Sequence, residues 1–185
     1  QHPKKSREEI RKEFGFAEGD FIVGHVGRFV DQKNHNFLID IFVEILKLRK
    51  NAKLLLVGEG PLQDTIKEKC KPLKIEDKVF FTGVRTDVPE IMSGMDVFLF
   101  PSKFEGLSVS LIEAQIVVPF VVTSDAVSFD TSVSGNICFI SLKKSAEVWA
   151  KICCFKNTDF VKPVNNIADF DIKTVISRLE SFYAE

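Results

Sequence analysis

No metal centre or disulfide framework can be read in this chain. Its three histidines, His2, His25 and His35, do not cluster, and neither His25 nor His35 has a carboxylate or cysteine at ligand spacing. Cys70, Cys138, Cys153 and Cys154 form no Cys-x2-Cys pair, and Cys153-Cys154 fall inside an apparent helix. Buried, reduced thiols of a cytosolic protein are the expectation. There is no signal pattern and no apolar run long enough to span a bilayer, so the chain is expected to be soluble or peripheral. The formal charge of −1 is spread over interspersed acidic and basic residues. No strong field therefore favours nucleic acid or an anionic membrane, and any partner must be recognised locally. Low-complexity tracts and short repeats are also missing. What remains is 185 residues, 45% of them hydrophobic, enough for a full core in one domain. The opening Gln1-His2-Pro3-Lys4-Lys5 reads as the continuation of a longer chain.

Apolar runs of strand length alternate with helical periodicity along the sequence. Ser6-Arg7-Glu8-Glu9 is a capping box for an opening helix over about 6–15 that Gly15 should end. A strand over 21–26 follows. Asn34 is expected to cap a helix whose apolar face is Phe37, Leu38, Ile41, Phe42, Ile45 and Leu46. The unit then repeats, with strand 53–57 and helix 61–73, strand 79–81 and a short helix from Pro89, and strand 97–100 and helix 107–117. Pro61 and Pro89 suit first-turn positions. Strands over 120–123 and 137–140, a helix over 145–155 and a last helix over about 171–184 complete the expectation, with the core at about 20–157. Such alternation predicts an α/β fold, a Rossmann-like parallel sheet with helices on both faces. In these sheets ligands sit beyond the carboxyl ends of the strands, where Gly27-Arg28, Gly58, Gly83 and Glu105 all fall.

The run from Phe104 to Ala114 places two carboxylates, Glu105 and Glu113, eight positions apart around a helix start. If the residues between are mostly helical, their Cα atoms lie roughly 12 Å apart and about 80° around the axis. That span suits two sugar rings joined through a diphosphate. A carboxylate offers paired acceptors to neighbouring sugar hydroxyls, and the N–H groups of Leu107 and Ser108 at the helix start are free for an anion. The alternative is a surface-loop glutamate and a half-exposed helical one. Gly27 would let a phosphate approach the backbone, Arg28 offers a planar fork of donors, and Lys33 would be the second cation. A turn glycine with solvated basic side chains is the competing reading.

Glu-x7-Glu after the strand Asp96-Val97-Phe98-Leu99-Phe100 and Pro101-Ser102 resembles the signature of glycosyltransferase family 4, enzymes with two Rossmann-like halves, the GT-B fold. Val23-Gly24-His25-Val26-Gly27-Arg28 with Gln32-Lys33-Asn34-His35 is similar to the family's phosphate-binding segment. Leu55-Leu56-Val57-Gly58-Glu59-Gly60-Pro61 and Val79-Phe80-Phe81-Thr82-Gly83-Val84-Arg85 match the next two units. The match runs over about 7–124 and covers the C-terminal, donor-binding half, so the N-terminal acceptor domain is expected to lie outside this chain. The resemblance implies a retaining transfer from a nucleotide-sugar such as a UDP- or GDP-sugar, with no cofactor and no metal. It implies Arg28 and Lys33 on the departing diphosphate, Glu105 by the donor sugar and Glu113 on the ribose. Gly27, Gly106, Leu107 and Ser108 would line the donor site, and Val84 and Arg85 would lie against the base. A saccharide or lipid-linked acceptor, held by the other domain, and a cytoplasmic setting at the inner membrane face are implied by analogy. Two departures stand out: Val118-Pro119-Phe120 replaces the usual Gly-Leu-Pro, and residues 125–140 match poorly.

Some features remain open. The Arg85 side chain could equally pair with Asp87. Gly58-Glu59-Gly60-Pro61 lacks the third glycine of a dinucleotide fingerprint, Gln63 standing there, and reads as a tight turn. Asp169-Phe170-Asp171 spells a metal-binding Asp-x-Asp, but its place before the last helix favours Asp171 as an N-cap. His25 reads as core or strand edge. A sugar-nucleotide epimerase and a non-catalytic nucleotide-sugar-binding module remain as alternatives on the same scaffold.

Overall fold

The computed structural model describes residues 5–155. The expected terminal helix and Asp169-Phe170-Asp171 lie outside the described residues. Six parallel strands, β1 (Phe21–Val26), β2 (Ala52–Val57), β3 (Val79–Phe81), β4 (Val97–Phe100), β5 (Val121–Ser124) and β6 (Ile137–Ile140), form one sheet in the order β3-β2-β1-β4-β5-β6. The order reverses between β1 and β4, and a doubly wound sheet opens a crevice at such a point. Six helices surround it: α1 (Arg7–Glu13), α2 (His35–Leu48), α3 (Gln63–Leu73), α4 (Val88–Ser93), α5 (Val109–Val117) and α6 (Ala146–Phe155).

Successive strand residues point to opposite faces, and both faces are apolar, as burial on two sides requires. Val23, Leu54, Leu56, Val97, Leu99 and Val122 face the layer that includes Leu38, Ile41, Phe42 and Ile45 of α2 and Trp149 of α6. Ile22, Leu55, Val57, Phe98, Phe100 and Val121 pack on the other side against Ile91 and Met92 of α4 and Leu111 and Ala114 of α5. Phe37 and Leu46, expected on the inner face of α2, are half-buried at its border. The capping box forms, with Ser6 accepting from the Glu9 N–H and the Glu9 carboxylate accepting from the Ser6 N–H. Asp96, just before β4, accepts from Arg7 (2.5 Å), Arg11 (2.6 Å) and the Ile22 N–H (2.7 Å), and so ties α1 to the amino end of the sheet.

Most boundaries shift by a residue or two, and three differences from the sequence reading bear on the site. Asn34 does not cap α2 with its side chain: its backbone is left-handed (φ 56°) and its amide donates to Pro101 O at 3.1 Å, so a contact with the loop after β4 replaces the local bond. Helix α3 begins at Gln63, and Pro61 belongs to the turn before it. Helix α5 begins at Val109, because Glu105 pairs with Val127 in a parallel bridge and Ser108 is extended. The segment after Glu105 is therefore not helical, and the 12 Å, all-helical spacing of the two glutamates does not apply.

The turn after β2 is as tight as its glycines suggest. Gly58 has φ 128°, and a Cβ there would lie 2.3 Å from Gly27 O, so only glycine lets this turn close on the turn after β1.

Candidate functional site

Two loops meet over the crevice between β1 and β4. The first, after β1, carries Gly27, Arg28 and a 3-10 turn over Asp31–Lys33; the second, after β4, carries residues 101–108. Lys33 Nζ lies 2.6 Å from Glu105 Oε1, with 16% and 13% of the two side chains exposed. The lysine also sits over the Phe100 ring, 4.7 Å from its centroid. Gln32 Nε2 donates to the same Oε1 at 2.9 Å and to Phe104 O at 3.1 Å. Lys103 N donates to Gln32 O at 2.8 Å. Lys33 and Glu105, placed on the diphosphate and the sugar respectively by the sequence reading, are thus one ion pair. On its far side the glutamate's backbone is fixed, since Ser128 N donates to Glu105 O at 3.2 Å.

Gly27 opens less space than expected. A Cβ on it would meet His25 Nε2 at 2.9 Å and Lys33 Cδ at 3.3 Å, and its N–H is spent on Val57 O. The gap is filled by the lysine stem and a buried imidazole. His25 is core, as one of the two sequence readings had it. Its Nδ1 bonds Leu99 O at 2.9 Å, which as an acceptor requires the proton on Nδ1 and leaves Nε2 a bare lone pair. His25 stacks on Phe100 and meets His35 edge-on at 4.7 Å, while His35 stacks on Phe29. Burial drives the pKa of both down, His25 well below its ordinary value and His35 to about 4, with the neighbouring Lys33 charge acting in the same direction. Both rings are neutral at pH 7.

Next to the pair an open cleft of about 620 Å³ is lined by Gly27, Arg28, Glu59, Val84 and Arg85, among others. Arg28 is exposed there, and among the described residues its guanidinium has no ion-pair partner. Val26 and Val88 also border a second cleft, of about 820 Å³, which holds Glu113 and Ser110. Arg85 is committed elsewhere. It donates to both oxygens of Asp87 (2.8 and 2.7 Å) and to Glu13 of α1 (2.9 Å), and these hydrogen bonds push its pKa up. Of its two sequence readings, pairing with Asp87 describes the side chain. Val84 and Leu107 stand exposed at the rim, and a Cβ on Gly106 would meet nothing within 4 Å. Ser108 is buried at the head of α5.

The sequence reading singled out neither Gln32 nor Glu13. Each acts across a tertiary contact, and no local pattern marks it. The same holds for Gln115 of α5, buried, which donates to Thr131 O and accepts from the N–H groups of Val133 and Ser134, tying down the divergent segment after β5. Among the described residues no group of three or more His, Cys, Asp or Glu side chains is placed to hold a metal, and no helix is long and apolar enough to cross a membrane.

A parallel sheet in this order, with a cation, an ion pair and a second carboxylate around its switch point, has the architecture of one half of a GT-B glycosyltransferase, and its structural neighbours are enzymes of that fold. The chain belongs to the family described as glycosyl transferases group 1, whose model matches residues 6–151. It is 32% identical over 148 residues to the EpsF protein of Bacillus subtilis (strain 168), an alignment covering 80% of this chain and 38% of EpsF. It is 26% identical over 139 residues to the lipopolysaccharide core biosynthesis mannosyltransferase LpsB of Rhizobium meliloti (strain 1021), covering 72% of this chain and 40% of that protein. The crystal structure of HepE of Anabaena in complex with UDP superposes with a TM-score of 0.78 at 25% identity, over 96% of this chain and 52% of HepE. The chain thus spans about half or less of the length of the relatives it matches.

Proposed function

We propose that this chain is the donor-binding half of a family 4 glycosyltransferase and holds a nucleoside diphosphate sugar across the two clefts. The observation that carries this reading is the meeting of Arg28, the Lys33–Glu105 pair and Glu113 around one switch point. Arg28 and Lys33 neutralise the diphosphate, whose charge grows as the glycosidic bond breaks. Glu105 faces the donor sugar and stabilises positive charge at the reacting carbon. Glu113 accepts from the ribose hydroxyls. Val84 and the backbone around Arg85 lie against the base; Gly106, Leu107 and Ser108 border the sugar. No metal enters the scheme, because the basic side chains supply the counter-charge.

The sugar passes with retention of configuration to a saccharide or lipid-linked acceptor held by the remainder of a longer protein, in surface polysaccharide or glycolipid synthesis at the cytoplasmic face of a membrane. The UDP complex of HepE supports a nucleotide-sugar donor, and the lipopolysaccharide role in the name of LpsB supports the biosynthetic setting. A thermal-shift panel of UDP-, GDP-, ADP- and TDP-sugars tests it. One base class at 100 times its dissociation constant should stabilise the fold by about 2.7 kcal/mol. A flat response across the panel would remove the donor site.

A further inference from the structure

Glu105 meets the crevice with one oxygen already spent. Lys33 and Gln32 both reach Oε1, and among the described residues none bonds Oε2. A carboxylate on a loop can turn about its last torsion and present either oxygen. Here something must hold it. The lysine alone does not fix the plane, since an ammonium is a point charge that attracts from any direction. The Gln32 amide does, because its two N–H bonds diverge at a fixed angle, one to Phe104 O and one to Glu105 Oε1. Both partners are acceptors, so the amide can sit only with its nitrogen towards them. The backbone of Gln32 is itself anchored, its main-chain carbonyl accepting from the Lys103 N–H at 2.8 Å.

We infer that Gln32 is a positioning residue for the sugar subsite: it clamps the loop after β4 and turns Glu105 so that Oε2 faces the donor sugar's hydroxyls. The inference rests on the donor-site reading and names a side chain which that reading leaves without a role. Lys33 is then free to share its charge with a diphosphate without releasing Glu105, because the amide keeps hold of Oε1. A side chain that only filled space at position 32 would leave ligand discrimination untouched.

The test is calorimetric titration of UDP and UDP-glucose, or of GDP and GDP-mannose, whichever pair the parent chain binds. Gln32→Met keeps the length and removes both donors. It should weaken the sugar conjugate by about three- to tenfold, the net effect of one ordinary hydrogen bond, because the amide acts on the ligand only through Glu105, while the nucleoside diphosphate binds as before. Gln32→Glu, which sets a like charge against Glu105, should weaken the conjugate further. Combining Gln32→Met with Glu105→Gln should cost no more than Glu105→Gln alone, since both act through one oxygen. Equal losses for the two ligands in both Gln32 variants, or independent, multiplying effects in the double variant, would overturn the proposal and leave the donor site standing. A parent chain that binds none of the four ligands removes the donor-site reading, and this proposal with it.

Discussion

Lys33 and Glu105 neutralise one another beside the crevice, whereas Arg28 stands unpaired among the described residues. That division sets what each substitution should do. Glu113 is assigned to the ribose, which every nucleotide ligand carries, and Glu105 to the donor sugar. Glu113→Gln should weaken a nucleoside diphosphate and its sugar conjugate by similar factors. Glu105→Gln should weaken the conjugate alone, by on the order of 1–2 kcal/mol, since glutamine keeps the volume and one acceptor but loses the charge. Four calorimetric affinities decide it; equal losses for both ligands in Glu105→Gln would take that residue out of the sugar subsite. Sequence reading found both glutamates from their spacing. It missed that Glu105 is joined to Lys33, because the two stand 72 positions apart and only the fold of β1 beside β4 brings them together.

At the scale of elements the site depends on two turns that close on one another. The turn after β2 packs against Gly27, and Gly58 permits this both by its positive φ and by its missing Cβ. Gly58→Ala should therefore combine backbone strain with a clash against a carbonyl, costing about 2–4 kcal/mol of stability, and should weaken nucleotide binding because Arg28 follows Gly27. Urea unfolding and a UDP titration of the same variant would check both; an alanine tolerated without loss would show that the turns can part. The strands were legible because apolar runs between turn residues leave little choice. Helix starts were less so. Asn34 and Ser108 are residue types that cap helices, yet neither makes a side-chain cap: Asn34 spends its amide on Pro101, and Ser108 Oγ faces Ser110 Oγ at 3.2 Å. At Asn34 a contact with a distant loop prevails over a local bond worth about 1 kcal/mol, whereas the Ser108 hydroxyl turns to a neighbour within the helix's own first turn.

At the scale of the whole molecule, the neutral pair His25 and His35 makes the fold sensitive to acid. The unfolded chain takes up protons near pH 6.5, while the folded chain resists, His35 until about pH 4. The unfolded state therefore holds more protons between those values, so stability is complete above about pH 6.5 and falls as pH drops through the window. His35 alone should account for on the order of 3 kcal/mol by pH 4, about 2 kcal/mol of it by pH 5, and His25 adds to it. Urea midpoints at pH 7.5 and 5 should differ accordingly, and substituting both histidines by apolar residues should flatten the profile; an unchanged slope in that variant would place the titrating groups elsewhere. The central claim is that the switch point of this sheet grips a diphosphate through basic side chains, and it is tested most directly by titrating UDP and GDP, with EDTA present, into the parent chain and Arg28→Ala. The expected result is binding of one of the two by the parent despite the chelator, weakened about 10- to 150-fold in the variant, the range for a charge-assisted hydrogen bond of about 1.5–3 kcal/mol. Parent and variant binding alike, or affinity that vanishes in EDTA and returns with magnesium, would contradict it.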